Sequence, residues 1–177
     1  MKKQFDPRMH SAEHILNQTM DRMFGCGRCF SAHIEKKKSK CDYHYHRDLS
    51  DDEINGIEKR VNDVIDADLP VTEEYVSLEE AKKYYDIDRL PSDTGDNIRI
   101  VKVGDYDACP CIGPHVSSTK MIGGFRITSK SFENGVLRIR FKLKWYSRSS
   151  LKTVTKRFRT SCLNHAFPKI EDWVSKS

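Results

Sequence analysis

Two half-motifs about a hundred residues apart constrain this chain more than anything else in it. They are His10-Ser11-Ala12-Glu13-His14 and Cys111-Ile112-Gly113-Pro114-His115. A spacing of four puts His10 and His14 one above the other on one helical face. Cys111 and His115 can add a thiolate and an imidazole, and zinc takes such nitrogen and sulfur donors in tetrahedral geometry. A fold that uses both halves must bring the start of the chain against the segment near Cys111. Without that downstream pair, an ordinary helix with two surface histidines is the plainer reading.

Asp6-Pro7 reads as a helix N-cap followed by proline at the first helical position. The spacing predicts a helix to about Phe24, with Met9, Ala12, Leu16, Met20 and Met23 as its apolar stripe, ended by Gly25 and Gly27. Cys29 to Glu35 and Cys41 to Arg47 read as strands around the charged turn Lys36-Lys37-Lys38-Ser39-Lys40. Ser50 and Glu53 form a capping box for a helix with Ile54, Ile57, Val61 and Val64 on one face, stopped by Leu69-Pro70. Val71 to Val76 fits a strand, and Ser77 with Glu80 starts a short helix through Tyr85. Ile98 to Val103 alternates like a half-buried strand. Gly124 to Phe132 and Val136 to Leu143 pair as a hairpin across Glu133-Asn134-Gly135.

The chain has 177 residues and a net charge of +5, room for one core domain with an appendage. Residues 1–143 hold 23 Lys and Arg against 24 Asp and Glu, whereas residues 144–177 hold 8 against 2. We therefore divide the chain into a core, 1–143, and a basic aromatic extension, 144–177, containing Trp145, Tyr146, Phe158, Phe167 and Trp173. Such a segment can follow a phosphate backbone, or dock on the core as an amphipathic helix with solvated charges. No apolar run approaches the ~20 residues that cross a bilayer, and the start lacks a signal-peptide core. The expected location is the cytosol, with no membrane partner and with the six cysteines reduced or metal-bound.

His10 to His14, the helix from Ser50, the segment Asp107-Ala-Cys-Pro-Cys111-Ile-Gly-Pro-His115-Val and the closing Gly135 to Leu143 resemble the second additional domain shared by threonyl- and alanyl-tRNA synthetases. The same domain occurs alone in the AlaX proteins. The resemblance spans roughly residues 7–143 and implies an α+β fold, mostly antiparallel sheet packed with helices. It implies Zn2+ as cofactor, on His10, His14, Cys111 and His115, and hydrolysis of the ester that joins a wrong amino acid to tRNA. The partner is then mischarged tRNA: Ser- or Gly-tRNA(Ala) first, Ser-tRNA(Thr) second. Such proofreading has a physical reason, since a hydrophobic pocket rejects an isostere with an added hydroxyl only about 10²-fold. No aminoacylation module is visible, so the expected activity is in trans. A noncatalytic RNA-binding module with structural zinc is the alternative.

Within that resemblance Glu13 is a candidate general base, a partner behind the ligands, or a solvent-facing residue. Two positions before the ligand cysteine the family often carries an acidic or amide residue. Here Cys109 stands there, as an alternative ligand, a thiol behind the ligands or a core residue, and Asp107 is the candidate for the missing polar group. Cys26-Gly27-Arg28-Cys29 and Cys162-Leu163-Asn164-His165 could together hold a structural zinc, although incidental cysteines are the plainer reading. His44 and His46 share a strand face with Asp42, as a metal or tRNA contact or as a solvated face. His33 reads as structural. Lys36, Lys37, Lys38 and Lys40 read as a solvated turn or a phosphate contact.

Overall fold

The computed structural model describes residues 6–87, 90 and 95–144. The basic extension beyond Lys144, with Cys162 and His165, lies outside the described residues. The expected α+β class is observed, with two antiparallel sheets and three α-helices.

Helix α1 spans Pro7–Phe24. The Asp6 side chain accepts the Arg8 N–H at 3.0 Å, and Gly25, at φ 60°, ends the helix by donating its N–H to Asp21 O. That left-handed turn suits glycine because no Cβ opposes it. Every residue from Ser11 to Asn17 is buried, so α1 is enclosed around its circumference rather than along one stripe. Met23 departs from the expected stripe and is 41% exposed. It lies on the last turn, between the exposed Arg22 and the half-buried Phe24, beyond the enclosed stretch.

Strands β1 (Ser31–His33) and β2 (Ser39–His44) are shorter than expected and shifted. Ser39 is buried and exchanges hydrogen bonds with the Glu35 backbone, accepting its N–H at 3.0 Å and donating to its carbonyl at 3.2 Å. The turn thereby tightens and β2 starts at Ser39. β2 stops at His44 because its partner strand starts at Val136, the residue opposite. Helix α2 (Asp51–Asp66) begins with the expected capping box, Ser50 Oγ accepting from Glu53 N and Glu53 Oε2 accepting from Ser50 N.

β3 (Val71–Ser77), β4 (Asn97–Val103) and β5 (Asp107–Pro110) form a three-stranded sheet in that order. Helix α3 (Leu78–Tyr84) follows β3, with Ser77 as N-cap. Neither β5 nor a 3-10 turn at Thr119–Ile122 was expected. β5 is short and contains proline, and it is a strand only through its register with β4.

β6 (Gly124–Glu133) and β7 (Val136–Lys144) make the expected hairpin, with Asn134 and Gly135 at φ 50° and 77°. The four-stranded sheet runs β1-β2-β7-β6, and its inner face joins α1 and α2 in one core with Tyr43, Ile57, Val61, Leu137, Ile139 and Phe141. β6 is an edge strand, and α2 covers it. Asn62 Oδ1 accepts the Phe125 N–H and Glu58 Oε2 accepts the Ile127 N–H, each at 2.9 Å. Those groups would otherwise be free to pair with another chain. Among the described residues no helix is long and apolar enough to cross a membrane.

Candidate metal centre

The N-terminal half of α1 carries His10, Ser11, Glu13 and His14, while β5 and the loop after it carry Asp107, Cys109, Cys111 and His115. The fold closes these two segments on each other. Single ligand atoms of His10, His14, Cys111 and His115 all lie within 4.8 Å of one another. Cys111 Sγ is 3.4 Å from Nε2 of His10 and 3.4 Å from Nε2 of His115. A tetrahedral zinc with bonds of about 2.0–2.3 Å needs donors roughly 3.3–3.6 Å apart, the spacing at which Cys111 meets His10 and His115.

The other nitrogen of each ring is engaged elsewhere. Nδ1 of His10 is 3.2 Å from Pro114 O, Nδ1 of His115 is 3.0 Å from Ser11 Oγ, and Nδ1 of His14 is 3.3 Å from Asp107 Oδ2. Acceptors on the far nitrogen set ring tautomer and direction, as they do behind metal-bound histidines. Ser11 Oγ also accepts the Val116 N–H at 3.2 Å, which ties the loop to the helix.

Two residues of this machinery were not singled out by sequence reasoning. A Cβ built at Gly113 would lie 2.1 Å from His10 Cε1, so only glycine admits the imidazole here. Arg99 on β4 donates to Cys111 O at 3.0 Å and Gly113 O at 2.8 Å, and pairs with Glu73. Gly113 stood inside the motif as a signal. Arg99 had none, because its role depends on β4 lying beside the loop.

Burial pushes the Cys111 thiol up, but hydrogen bonds from His10, His115 and His14 outweigh this and bring its pKa down to about 3. A thiolate, the ligating form, is thus favoured. Burial would lower the His14 pKa, but Asp107, Cys109 and Cys111 raise it well above the usual value. Burial lowers that of His115, helped by His14 and His10 against Cys111. Burial raises the Asp107 pKa, and His14 and Arg28 more than offset it, leaving it low. The Asp107 carboxylate is wholly buried, with Arg28 donating to both oxygens at 2.7 and 3.3 Å.

Cys109 Sγ is 3.4 Å from His14 Nδ1, in a buried group with Asp107, whereas Cys111 groups with the three histidines. Glu13 is buried rather than solvent-facing. Its Oε1 accepts from Asn17 Nδ2 at 2.5 Å and from the Cys29 thiol at 3.6 Å, and its Oε2 is 3.8 Å from His10 Nε2. A cleft of about 380 Å³ opens over the cluster, lined by His10, Glu13, His14 and Cys111 together with Arg28 and Tyr84.

The remaining candidates lie apart. Cys29 groups with Cys41 and Glu13 rather than with Cys26. His33 pairs with Glu35, His44 stacks on Phe30 and His46 lies against Tyr45. Asp42 is buried under Arg138 and Lys40, and Lys36, Lys37 and Lys38 are exposed.

Residues 98–140, from β4 into β7, match the family model of the threonyl and alanyl tRNA synthetase second additional domain. The chain is similar to that domain. An alanine–tRNA ligase of Fervidobacterium nodosum is 36% identical over 141 residues, 78% of this chain and 16% of the relative. That of Treponema denticola is 33% identical over 143 residues, 76% of this chain and 23% of the relative. That of Methanopyrus kandleri is 30% identical over 142 residues, 76% and 15%. The chain thus spans less than a quarter of the length of these relatives. Within the second-additional-domain match lie Asp107, Cys109, Cys111 and His115; His10 and His14 precede it.

Proposed function

We propose that the chain is a zinc-dependent aminoacyl-tRNA deacylase, acting in trans in the cytosol on mischarged tRNA. Ser- or Gly-tRNA(Ala) is the first substrate class and Ser-tRNA(Thr) the second. One observation carries the reading: three imidazoles and one thiol converge, and His10, His14 and Cys111 of that set line a cleft large enough for an aminoacyl ester.

His10, His14, Cys111 and His115 would hold the ion. Bound there, zinc supplies a Lewis acid that either activates a water or orients the substrate through its amino group. Asp107, with its oxygens engaged by Arg28 and His14, is a positioning residue for the His14 ring. Glu13 lines the cleft, held by Asn17 and Cys29, and is the candidate to accept a proton from water attacking the ester carbonyl. A general base must lie within hydrogen-bond reach of that water, and Glu13 Oε2 faces the same space as His10 Nε2.

Four protein donors close a tetrahedral shell, and this favours a second reading, an RNA-binding module with structural zinc. Deacylation of Ser-, Gly-, Ala- and Thr-charged tRNA(Ala) and tRNA(Thr), with and without chelator, separates the two. Chelator-sensitive release of serine or glycine supports the hydrolase. Intact esters in the presence of stoichiometric zinc would leave the binding module.

A further inference from the structure

The four-stranded sheet has a second face that the metal centre does not use. Its inner face carries Cys41, Tyr43, Leu137, Ile139 and Phe141 in the core. By the two-residue alternation of strands, the opposite face carries Lys40 on β2, Arg126 on β6, and Arg138, Arg140, Lys142 and Lys144 on β7. Two acids share that face: Asp42, spanned by Arg138 at 2.7 and 2.8 Å, and Glu133, opposite Val136 at the hairpin end and close enough to act on Arg138. This segregation occurs in a core whose first 143 residues are nearly neutral.

The register sharpens the point. Lys40 stands opposite Arg140, and Arg126 opposite Lys142. Like charges directly across a strand pair are destabilising, yet the sheet keeps two such pairs on β7, an interior strand. Among the described residues, Arg126, Arg140, Lys142 and Lys144 make no ion pair. Alternate residues on one strand are about 6.8 Å apart, so the β7 row from Arg138 to Lys144 runs roughly 20 Å. Ser129 and Ser131 lie opposite Arg140 and Arg138 and add exposed hydroxyls. Both acids act at the Arg138 end, so Arg126, Arg140, Lys142 and Lys144 form a run of cations beside hydroxyl donors that complements a chain of phosphates.

We propose that this outer sheet face is a docking surface for the phosphate backbone of tRNA, separate from the cleft that takes the ester. The choice of tRNA rests on the function proposed above; the surface itself rests on the charge pattern.

The test uses the full chain and unacylated tRNA(Ala), so no ester chemistry enters. Arg140→Glu with Lys142→Glu should weaken binding at least about tenfold near 0.1 M salt, and lower the slope of log affinity against log salt by roughly 1.4–1.8. Arg140→Gln with Lys142→Gln should weaken it less, and serves if the reversal variant unfolds. Lys59→Glu, on α2 and paired with Asp63, should change neither quantity, and zinc content should hold in all variants. Affinity and slope within twofold of the parent protein would overturn the proposal. So would binding lost on deleting residues 145–177 while the sheet variants bind normally, or capture of phosphatidylserine vesicles but not of tRNA. If the deacylase reading alone is wrong, Ser-tRNA stays intact while the sheet variants still lose affinity. If the surface alone is wrong, deacylation persists and its KM is unmoved by those variants.

Discussion

Asp107 Oδ2 lies 3.3 Å from His14 Nδ1, and both side chains are almost completely buried. Arg28 holds the same carboxylate from the other side, so an ionised Asp107 orients the ring whose other nitrogen is left for the metal. Asp107→Asn should lower zinc affinity by about 10- to 100-fold. It should also reduce stability by several kcal/mol, because Arg28 loses a buried counter-charge. Chelator competition and thermal unfolding read the two effects separately. Unchanged zinc affinity would mean that His14 needs no such partner.

Gly113→Ala places a methyl where the His10 imidazole stands. The ring must move, because the approach is against the ring itself rather than a flexible end. Zinc affinity should fall at least tenfold, with far-UV circular dichroism preserved, and zinc titration checks it.

Cys111→Ser should abolish stoichiometric zinc binding, whereas Cys109→Ser should retain it. The thiol that meets Nε2 of both His10 and His115 belongs to Cys111, while Cys109 sits against His14 Nδ1. Metal analysis of the two purified variants decides the matter, and the reverse pattern would assign the ligand to Cys109.

Glu13→Gln should retain zinc while lowering deacylation about 10²-fold or more, in line with removal of a general base. Single-turnover deacylation of Ser-tRNA is the measurement. Full activity would confine Glu13 to holding Asn17 and Cys29.

The Asp42 carboxyl is held below its usual value of 3.8, chiefly by Arg138 against some desolvation, with help from Lys40. A carboxylate depressed in the folded state contributes stability that is present above about pH 4 and is lost as pH falls through the folded value. The gap in urea midpoint between the parent protein and Asp42→Asn should be constant from pH 7 to about pH 5 and narrow below pH 4. A gap that stays constant to pH 2.5 would show that the pair contributes nothing through ionisation.

Local signals read well where they depend on neighbouring residues. Asp6-Pro7 and Gly25 bounded α1, Ser50 with Glu53 opened α2, and Asn134-Gly135 turned the hairpin. Each is a backbone or capping preference that acts within a few residues. The end of β2 was misplaced because a strand ends where its partner ends, at Val136 opposite His44. The partner of β2 is β7, about a hundred residues on. β5 was missed for the same reason, since Asp107 to Pro110 has weak strand character and is a strand only beside β4.

The pairing of His10 with His14 was legible in the chain because helical periodicity puts them on one face, and Cys111 with His115 was legible as a second pair of zinc-type donors. Which cysteine meets the histidines, what holds each ring, and why residue 113 is glycine were decided only when β5 and its loop closed on α1. Those are distances between segments remote in sequence. The packing of buried groups, each needing a partner at hydrogen-bond range, is what sets them.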